Sequence, residues 1–200
     1  MGKLGKHNIP GQAHFITAKT FENKQIFKDD RCCKILLEDI DFYRQRLGFK
    51  LLGYVIMPDH LHMIVWWDAD EQKDLTISRI MQAIKSHSAK EIVNYLQLGR
   101  RKPSLSPYSK AASEGSPLPD VYYWINNGIV HTPSVDKIWE KTFYDFNIYS
   151  PRKMLHKLNY IHQNPARAGF VSKPTDYLYS SARNYYLNDN FLIEIDCIGL

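Results

Sequence analysis

Residues 54–67 read YVIMPDHLHMIVWW, two short apolar runs separated by a Pro58-Asp59 break. In the second run His60 and His62 alternate with apolar residues, which is the two-residue period of a β-strand. Both imidazoles are therefore predicted to project from one face of a strand, a few ångströms apart. Neutral imidazoles are good ligands for divalent cations, so this stretch predicts part of a metal site.

An alternative is that His60 and His62 are ordinary polar residues, either on a solvated strand face or hydrogen-bonded within the core. The neighbouring Ile, Val and Trp side chains argue against it, because uncompensated imidazoles are costly to bury there unless something binds them. A second block of sequence, far down the chain, supplies further groups for such a site.

The composition is that of a folded domain with a preference for anionic partners. Two hundred residues suit one domain, and 44% hydrophobic residues are enough for a sizeable core. The formal net charge of +5 favours nucleic acid as a partner. Three cysteines without ligand spacing exclude a disulfide framework and a structural zinc site. Because no apolar signal core or transmembrane run is present, we expect no membrane association and a location in the bacterial cytoplasm or nucleoid.

The order of predicted elements is typical of an α+β ferredoxin-like sandwich. That fold has a four-stranded antiparallel sheet with helices on one face, and here a C-terminal helix is added. Strands are predicted at about 14–20, 49–56, from 60 onwards and at 138–148; helices are predicted at 30–46, from 76 or 78 to 99, and at 151–164. We interpret residues 1–200 as a single domain.

Residues 99–136 are predicted to be an inserted loop, because their composition shifts to Ser, Pro, Gly and Lys. A short element is expected at the aromatic island 122–124. The insertion is either a tolerated surface loop or a basic and aromatic grip on nucleic acid.

The last predicted helix carries the second part of the site. Lys153, Lys157, Tyr160 and Asn164 fall at spacings of three and four, so they share one helical face. If that face lies over the sheet, Tyr160 reaches the His60–His62 pair and Asn164 supplies an oxygen ligand. Such a set leaves open positions for a phosphate and suits Mg²⁺ or Mn²⁺. The alternative is that Tyr160 is a packing aromatic and Asn164 a helix C-cap before a proline.

Two motifs together resemble those of a known family. MPDHLH at 57–62, followed far downstream by YIHQNPARAGFV at 160–171, resembles the single-tyrosine HUH transposases, the insertion-sequence 200-like family, and most closely its branch of REP-associated tyrosine transposases. The resemblance covers most of the chain, including the block YLYSSA at 177–182. It implies that His60, His62 and Asn164 hold the metal and that Tyr160 is the catalytic nucleophile.

The resemblance also implies a reaction. Tyr160 attacks a phosphate of single-stranded or hairpin DNA, and a 5′-phosphotyrosine and a free 3′-hydroxyl result. Phenols are largely protonated at neutral pH, so the divalent metal and Lys153 or Lys157 are expected to favour the phenolate. The phosphotyrosine keeps the energy of the phosphodiester, so no nucleotide cofactor is expected.

Basic side chains along the chain are candidates for phosphate contacts, although each exposed one is equally well explained as a solubilising charge. They are Lys85, Lys90, Arg100, Arg101, Lys102, Lys153, Lys157, Arg167 and Arg183.

The rival hypothesis is a domesticated, non-catalytic binder of DNA or RNA hairpins. The complete set of His60, His62, Tyr160 and Asn164 favours the enzyme, because a binder has no need of it. Whether the active unit is a homodimer, and whether Tyr160 acts in cis or in trans, stays open at the level of sequence.

Overall fold

A four-stranded antiparallel sheet forms the centre of the fold in the computed structural model, which describes residues 11–98 and 137–196. Its strands are β1 (Ala13–Lys19), β2 (Lys50–Met57), β3 (His60–Trp66) and β4 (Tyr144–Ile148). They lie in the spatial order β2-β3-β1-β4, and every neighbouring pair is antiparallel. This is the split βαβ arrangement, so the predicted ferredoxin-like α+β fold is confirmed.

Four α-helices accompany the sheet in the described part of the chain: α1 (Asp30–Leu47), α2 (Ile77–Leu98), α3 (Pro151–Arg167) and α4 (Ala182–Leu187). Helix α1 shows how closely local sequence sets these bounds. The Asp29 carboxylate accepts a hydrogen bond from the backbone N–H of Arg31 at the start, and Gly48 ends the helix in the left-handed conformation, with φ +72°.

The two faces of the sheet are buried by different helices. Helices α1 and α2 pack on one face, against side chains such as Leu61 and Met63. Helix α3 packs on the other face, against Phe15, Val55 and Ile64. Because side chains alternate along β3, the face that carries His60 and His62 is the one that α3 covers.

The C-terminal segment closes the outer edge of β2. The backbone N–H of Ser181 donates to the carbonyl of Tyr54, and that of Ile56 donates to the carbonyl of Tyr179, both at 2.9 Å. This segment therefore occupies hydrogen-bonding groups that an edge strand would otherwise expose.

The predicted strand over 138–148 is too long, since β4 begins only at Tyr144. Trp139 makes an isolated bridge to Thr20, beyond the end of β1. Between this bridge and β4, the ammonium of Lys85 donates to the carbonyl of Glu140 at 2.7 Å and to that of Lys141 at 3.4 Å. Both carbonyl groups therefore pair with a side chain of α2.

The prediction that Pro165 stops the last helix is also wrong, because α3 continues to Arg167. A proline this close to the end removes only its own N–H from the helical ladder. The carbonyl groups beyond it find partners in the turn that follows: Phe170 N–H donates to Pro165, and Gly169 N–H donates to Ala166, both at 3.0 Å. Asn164 is consequently inside the helix, and Ala168 is its C-cap.

The predicted insertion at 99–136 lies outside the described residues, and so does the short element expected at 122–124. Within the described ranges, no helix combines the length and the apolar character that crossing a membrane requires.

Candidate metal and tyrosine site

The two histidines of β3 form the base of the site. Their ring centroids lie 4.6 Å apart and the ring planes are inclined by 73°, so both side chains project from the same face of the strand. His62 is buried, with 4% of its surface exposed, whereas His60 lies at the end of the strand and is half-buried. The pair thus has one member fixed in the protein interior and one at the rim.

Each imidazole is held through Nδ1. His60 Nδ1 lies 2.6 Å from Oδ1 of Asp59, and His62 Nδ1 lies 2.8 Å from Oγ1 of Thr17 on the neighbouring strand β1. Partners of this kind fix the ring orientation and the tautomer of metal-binding histidines. With Nδ1 used in this way, Nε2 is the nitrogen that each ring can offer to a metal.

His62 is in the protonation state that a metal ligand needs. Its pKa is lowered to about 3, chiefly by burial and to a smaller extent by the nearby charge of His60. At neutral pH the ring is therefore uncharged, and its lone pair is available without the loss of a proton.

Helix α3 places Tyr160 against this pair. The helix begins where the hydroxyl of Ser150 accepts a hydrogen bond from the N–H of Lys153, with Pro151 in the first turn. Its buried residues Met154 and Ile161 fix which face meets the sheet. Tyr160 then meets His62 edge-on, with ring centroids 5.3 Å apart, and it packs in the same manner against Phe15 at 5.8 Å.

A lysine lies one turn before the tyrosine. The ammonium of Lys157 is 4.1 Å from the ring centroid of Phe15 and 6.0 Å from that of Tyr160. Burial lowers the pKa of this ammonium group, and the positive charge of Lys153 adds to the effect. The side chain is thus held over aromatic rings beside the tyrosine, where it places positive charge near the phenol.

Asn164 lies one further turn along α3 and is partly buried. Among residues 11–98 and 137–196, no three side chains of His, Cys, Asp or Glu are grouped so that they hold a metal ion. The donor set given by β3 is thus the two imidazoles of His60 and His62. A side-chain amide such as that of Asn164 suits Mg²⁺ or Mn²⁺, so the residues fit the ion predicted from the sequence.

Comparison with protein families gives a match over residues 10–105. These residues match the family model described as transposase IS200 like. Over slightly less than half of its length, the chain is therefore similar to the IS200-like transposases. The resemblance deduced from the motifs is confirmed, and the matched segment contains His60 and His62 but ends before Tyr160 and Asn164.

A solved structure extends the likeness to the whole fold of the chain. A REP-associated tyrosine transposase bound to a REP hairpin aligns over 100% of this chain and 93% of its own, with 19% identity and a TM-score of 0.63. A protein described as a transposase from Deinococcus radiodurans aligns over 82% of this chain and 97% of its own, with 16% identity and a TM-score of 0.43. No curated protein matches the chain.

The basic residues predicted to contact DNA lie in different parts of the fold. Lys153 and Lys157 lie on α3 on the tyrosine side of the sheet, and Arg167 is exposed at the end of the same helix. Lys85 and Lys90 belong to α2, on the opposite face. Arg183 donates to Asp189 at 2.6 Å and to the carbonyl of Thr175 at 3.0 Å. Arg100, Arg101 and Lys102 lie outside the described residues.

Sequence reasoning missed the contacts that anchor α3. The Oγ atom of Ser181 lies 3.0 Å from Nε2 of His162, accepts from the N–H of Tyr54 and lies 3.1 Å from the Tyr54 carbonyl oxygen. All three residues are buried, and they connect the tyrosine helix, the C-terminal segment and β2. The pair of serines in the block at 177–182 was the available signal, but its partners are distant in sequence.

Proposed function

We propose that this chain is a metal-dependent transposase that nicks and rejoins single-stranded DNA through a covalent 5′-phosphotyrosine at Tyr160. The observation that carries the proposal is the edge-on contact between Tyr160 and His62, at 5.3 Å between ring centroids. A tyrosine beside the neutral, buried imidazole of His62 and the second imidazole of His60 suits metal-assisted phosphoryl transfer to tyrosine.

His60, His62 and Asn164 would hold the divalent ion, Mg²⁺ or Mn²⁺. When bound there, the ion polarises the scissile phosphate and withdraws charge from its oxygens. The hydrogen bonds that the two rings make through Nδ1 to Asp59 and Thr17 keep them oriented before any ion binds.

Tyr160 supplies the nucleophile and Lys157 the positive charge beside it. The phenol loses its proton, its oxygen bonds to phosphorus, and the bond from phosphorus to the 3′-oxygen breaks. The leaving oxygen takes up a proton and becomes a free 3′-hydroxyl. The same steps in reverse, with the 3′-hydroxyl of another strand, release Tyr160 and join the DNA, so no nucleotide cofactor is needed.

One chain holds every group in this proposal. Tyr160 lies beside the histidines of its own chain, so the tyrosine is expected to act in cis, and a homodimer is not required to complete the site. A hairpin in DNA is the expected substrate element, since the REP-associated tyrosine transposase that shares this fold was solved with a REP hairpin.

A non-catalytic binder of DNA or RNA hairpins is the second candidate and has less support. Binding alone gives no reason for a buried, neutral His62 held by Thr17 and placed against a tyrosine.

The test is to trap the covalent intermediate. The protein is incubated with labelled single-stranded hairpin DNA and Mg²⁺ or Mn²⁺, and adducts that survive denaturation are mapped to a peptide. We expect the label on Tyr160 and none in Tyr160→Phe, while Tyr149→Phe, a neighbouring exposed tyrosine, serves as the matched control and keeps the adduct. An adduct of undiminished yield in Tyr160→Phe would contradict the proposal.

A further inference from the structure

Strand β4 leaves large aromatic side chains exposed on the tyrosine side of the sheet. Tyr144 at its start is 50% exposed, and Tyr149 just after its end is 61% exposed. Phe146 lies between them on the same face, partly buried against the core beneath α3. Exposed rings that lie next to one another, rather than scattered singly, are typical of a binding surface.

These rings are connected to the proposed nucleophile by direct contacts. The ring of Phe15 lies 6.4 Å from that of Tyr144 and 5.8 Å from that of Tyr160. Further along, Phe146 and Tyr149 are 6.1 Å apart. The exposed aromatics therefore begin at the site and lead away from it along the edge strand.

Positive charge accompanies the rings. The ammonium of Lys157 lies 4.7 Å from the ring centroid of Phe146, and that of Lys153 lies 5.9 Å from that of Tyr149. Helix α3 carries four Arg or Lys residues and no Asp or Glu in its 17 residues. The one carboxylate of β4, on Asp145, is buried on the opposite face of the sheet with His14 Nδ1 at 2.9 Å.

We propose that Tyr144, Phe146, Tyr149, Lys153 and Lys157, here called the β4 track, bind the single-stranded DNA next to the scissile phosphate. Unpaired bases stack on Tyr144 and Tyr149, and the backbone phosphates lie against the two lysines. This inference rests on the proposed function, because it takes Tyr160 as the point of attack. Alternating aromatic and basic side chains are the usual means of holding single strands without reading their sequence.

The chemistry of the surface favours a nucleic acid over a protein partner. Lysine is depleted at the centre of protein–protein interfaces, whereas here two lysines lie among the aromatic rings. A DNA duplex fits less well, because its bases are already stacked on one another and are not free to cover the tyrosines.

The test measures binding without cleavage, with fluorescein-labelled oligothymidine in the presence of EDTA. We expect Tyr144→Ala and Tyr149→Ala each to weaken binding on the order of tenfold, the effect of losing one stacked base. Tyr149→Phe keeps the ring, so it should lose far less affinity than Tyr149→Ala. Phe42→Ala is the matched control: this side chain is 51% exposed on α1, away from the track, and its loss leaves binding unchanged.

Salt dependence separates stacking from charge. Tyr149→Ala should leave the slope of log affinity against log salt unchanged, whereas Lys153→Ala should reduce its magnitude by about 0.7, the value for one phosphate contact on a single strand. A duplex of the same length should bind more weakly than the single strand.

Three results would overturn the track: parental affinity in both Tyr→Ala variants, an equal loss in Phe42→Ala, or equal affinity for duplex. The trapping experiment distinguishes this failure from that of the proposed function. A parent that forms the Tyr160 adduct while the track variants bind normally refutes the track alone. A parent that forms no adduct but loses binding in the track variants refutes the nuclease and leaves the track standing.

Discussion

Replacing Thr17 by valine removes the hydroxyl that contacts His62 and leaves the volume of the side chain nearly unchanged. The contact is 2.8 Å long, from Oγ1 of Thr17 to Nδ1 of His62. If Nε2 of His62 binds the metal, Nδ1 carries the proton and donates it to this oxygen. The substitution therefore tests whether Thr17 prepares His62 as a ligand.

The expected magnitude follows from burial. His62 is only 4% exposed, so water cannot replace the lost hydroxyl, and a buried polar nitrogen without a partner costs about 1–3 kcal/mol of folding stability. Loss of such an outer partner also lowers metal affinity about 10- to 100-fold, or about 1.4–2.7 kcal/mol. Thr17→Ser keeps the oxygen and should lose little of either.

Mn²⁺ is the probe of choice, because its free and bound forms differ in their electron paramagnetic resonance signals. The parent, Thr17→Val, Thr17→Ser and His62→Ala proteins are titrated with Mn²⁺, and each is also unfolded by heat without metal. We expect the order parent, Ser, Val, Ala in falling Mn²⁺ affinity. If Thr17→Val binds Mn²⁺ as tightly as the parent while His62→Ala does not bind it, the reasoning about Thr17 is refuted.

Two further predictions concern stability. Burial raises the pKa of Asp39 to about 6, from an ordinary value of 3.8, even though Nδ1 of His87 lies 2.8 Å away. The folded state therefore holds this proton more tightly than the unfolded state does. The contribution of Asp39 to the free energy of unfolding is complete below about pH 4 and is lost as the pH rises through about 6. Across that range Asp39→Asn should gain on the order of 2 kcal/mol relative to the parent, and urea midpoints that change in parallel for the two proteins would contradict this expectation. Ser181→Ala leaves His162 and the N–H of Tyr54 without their buried partner, so it should lower the free energy of unfolding by about 2–4 kcal/mol; an unchanged melting temperature would show that the contact is unimportant.

The parts of the fold that sequence predicted are those encoded by neighbours in the chain. Alternation in residues 54–67 placed His60 and His62 on one face, and Asp29 and Gly48 marked the ends of α1. The error at Pro165 came from applying a rule for helix interiors to the last turn, where only one hydrogen bond is lost.

The contacts that sequence could not supply join residues distant in the chain. Thr17 meets His62 across 45 positions, because the register of β1 on β3 decides which residue of β1 lies opposite it. Ser181 meets Tyr54 across 127 positions. A single threonine or serine carries no local pattern that reveals such a partner, since hydroxyls are equally common on surfaces.

The two halves of the site are nevertheless built on the same sheet. Strand β3 carries the histidines, while Tyr160 depends on how closely α3 approaches the neighbouring strand β2. Gly53 lies under this helix at an irregularity in the pairing of β2 with β3, and a Cβ there would lie 2.8 Å from Cδ2 of Leu158, so any larger residue would displace the end of that side chain. Ser181 then connects the helix to the same strand: its Oγ atom contacts His162, two residues after Tyr160, and the carbonyl oxygen of Tyr54 on β2. Since these contacts come from the C-terminal third of the chain, the segment 10–105 that matches the family contains the histidines but cannot by itself position the tyrosine.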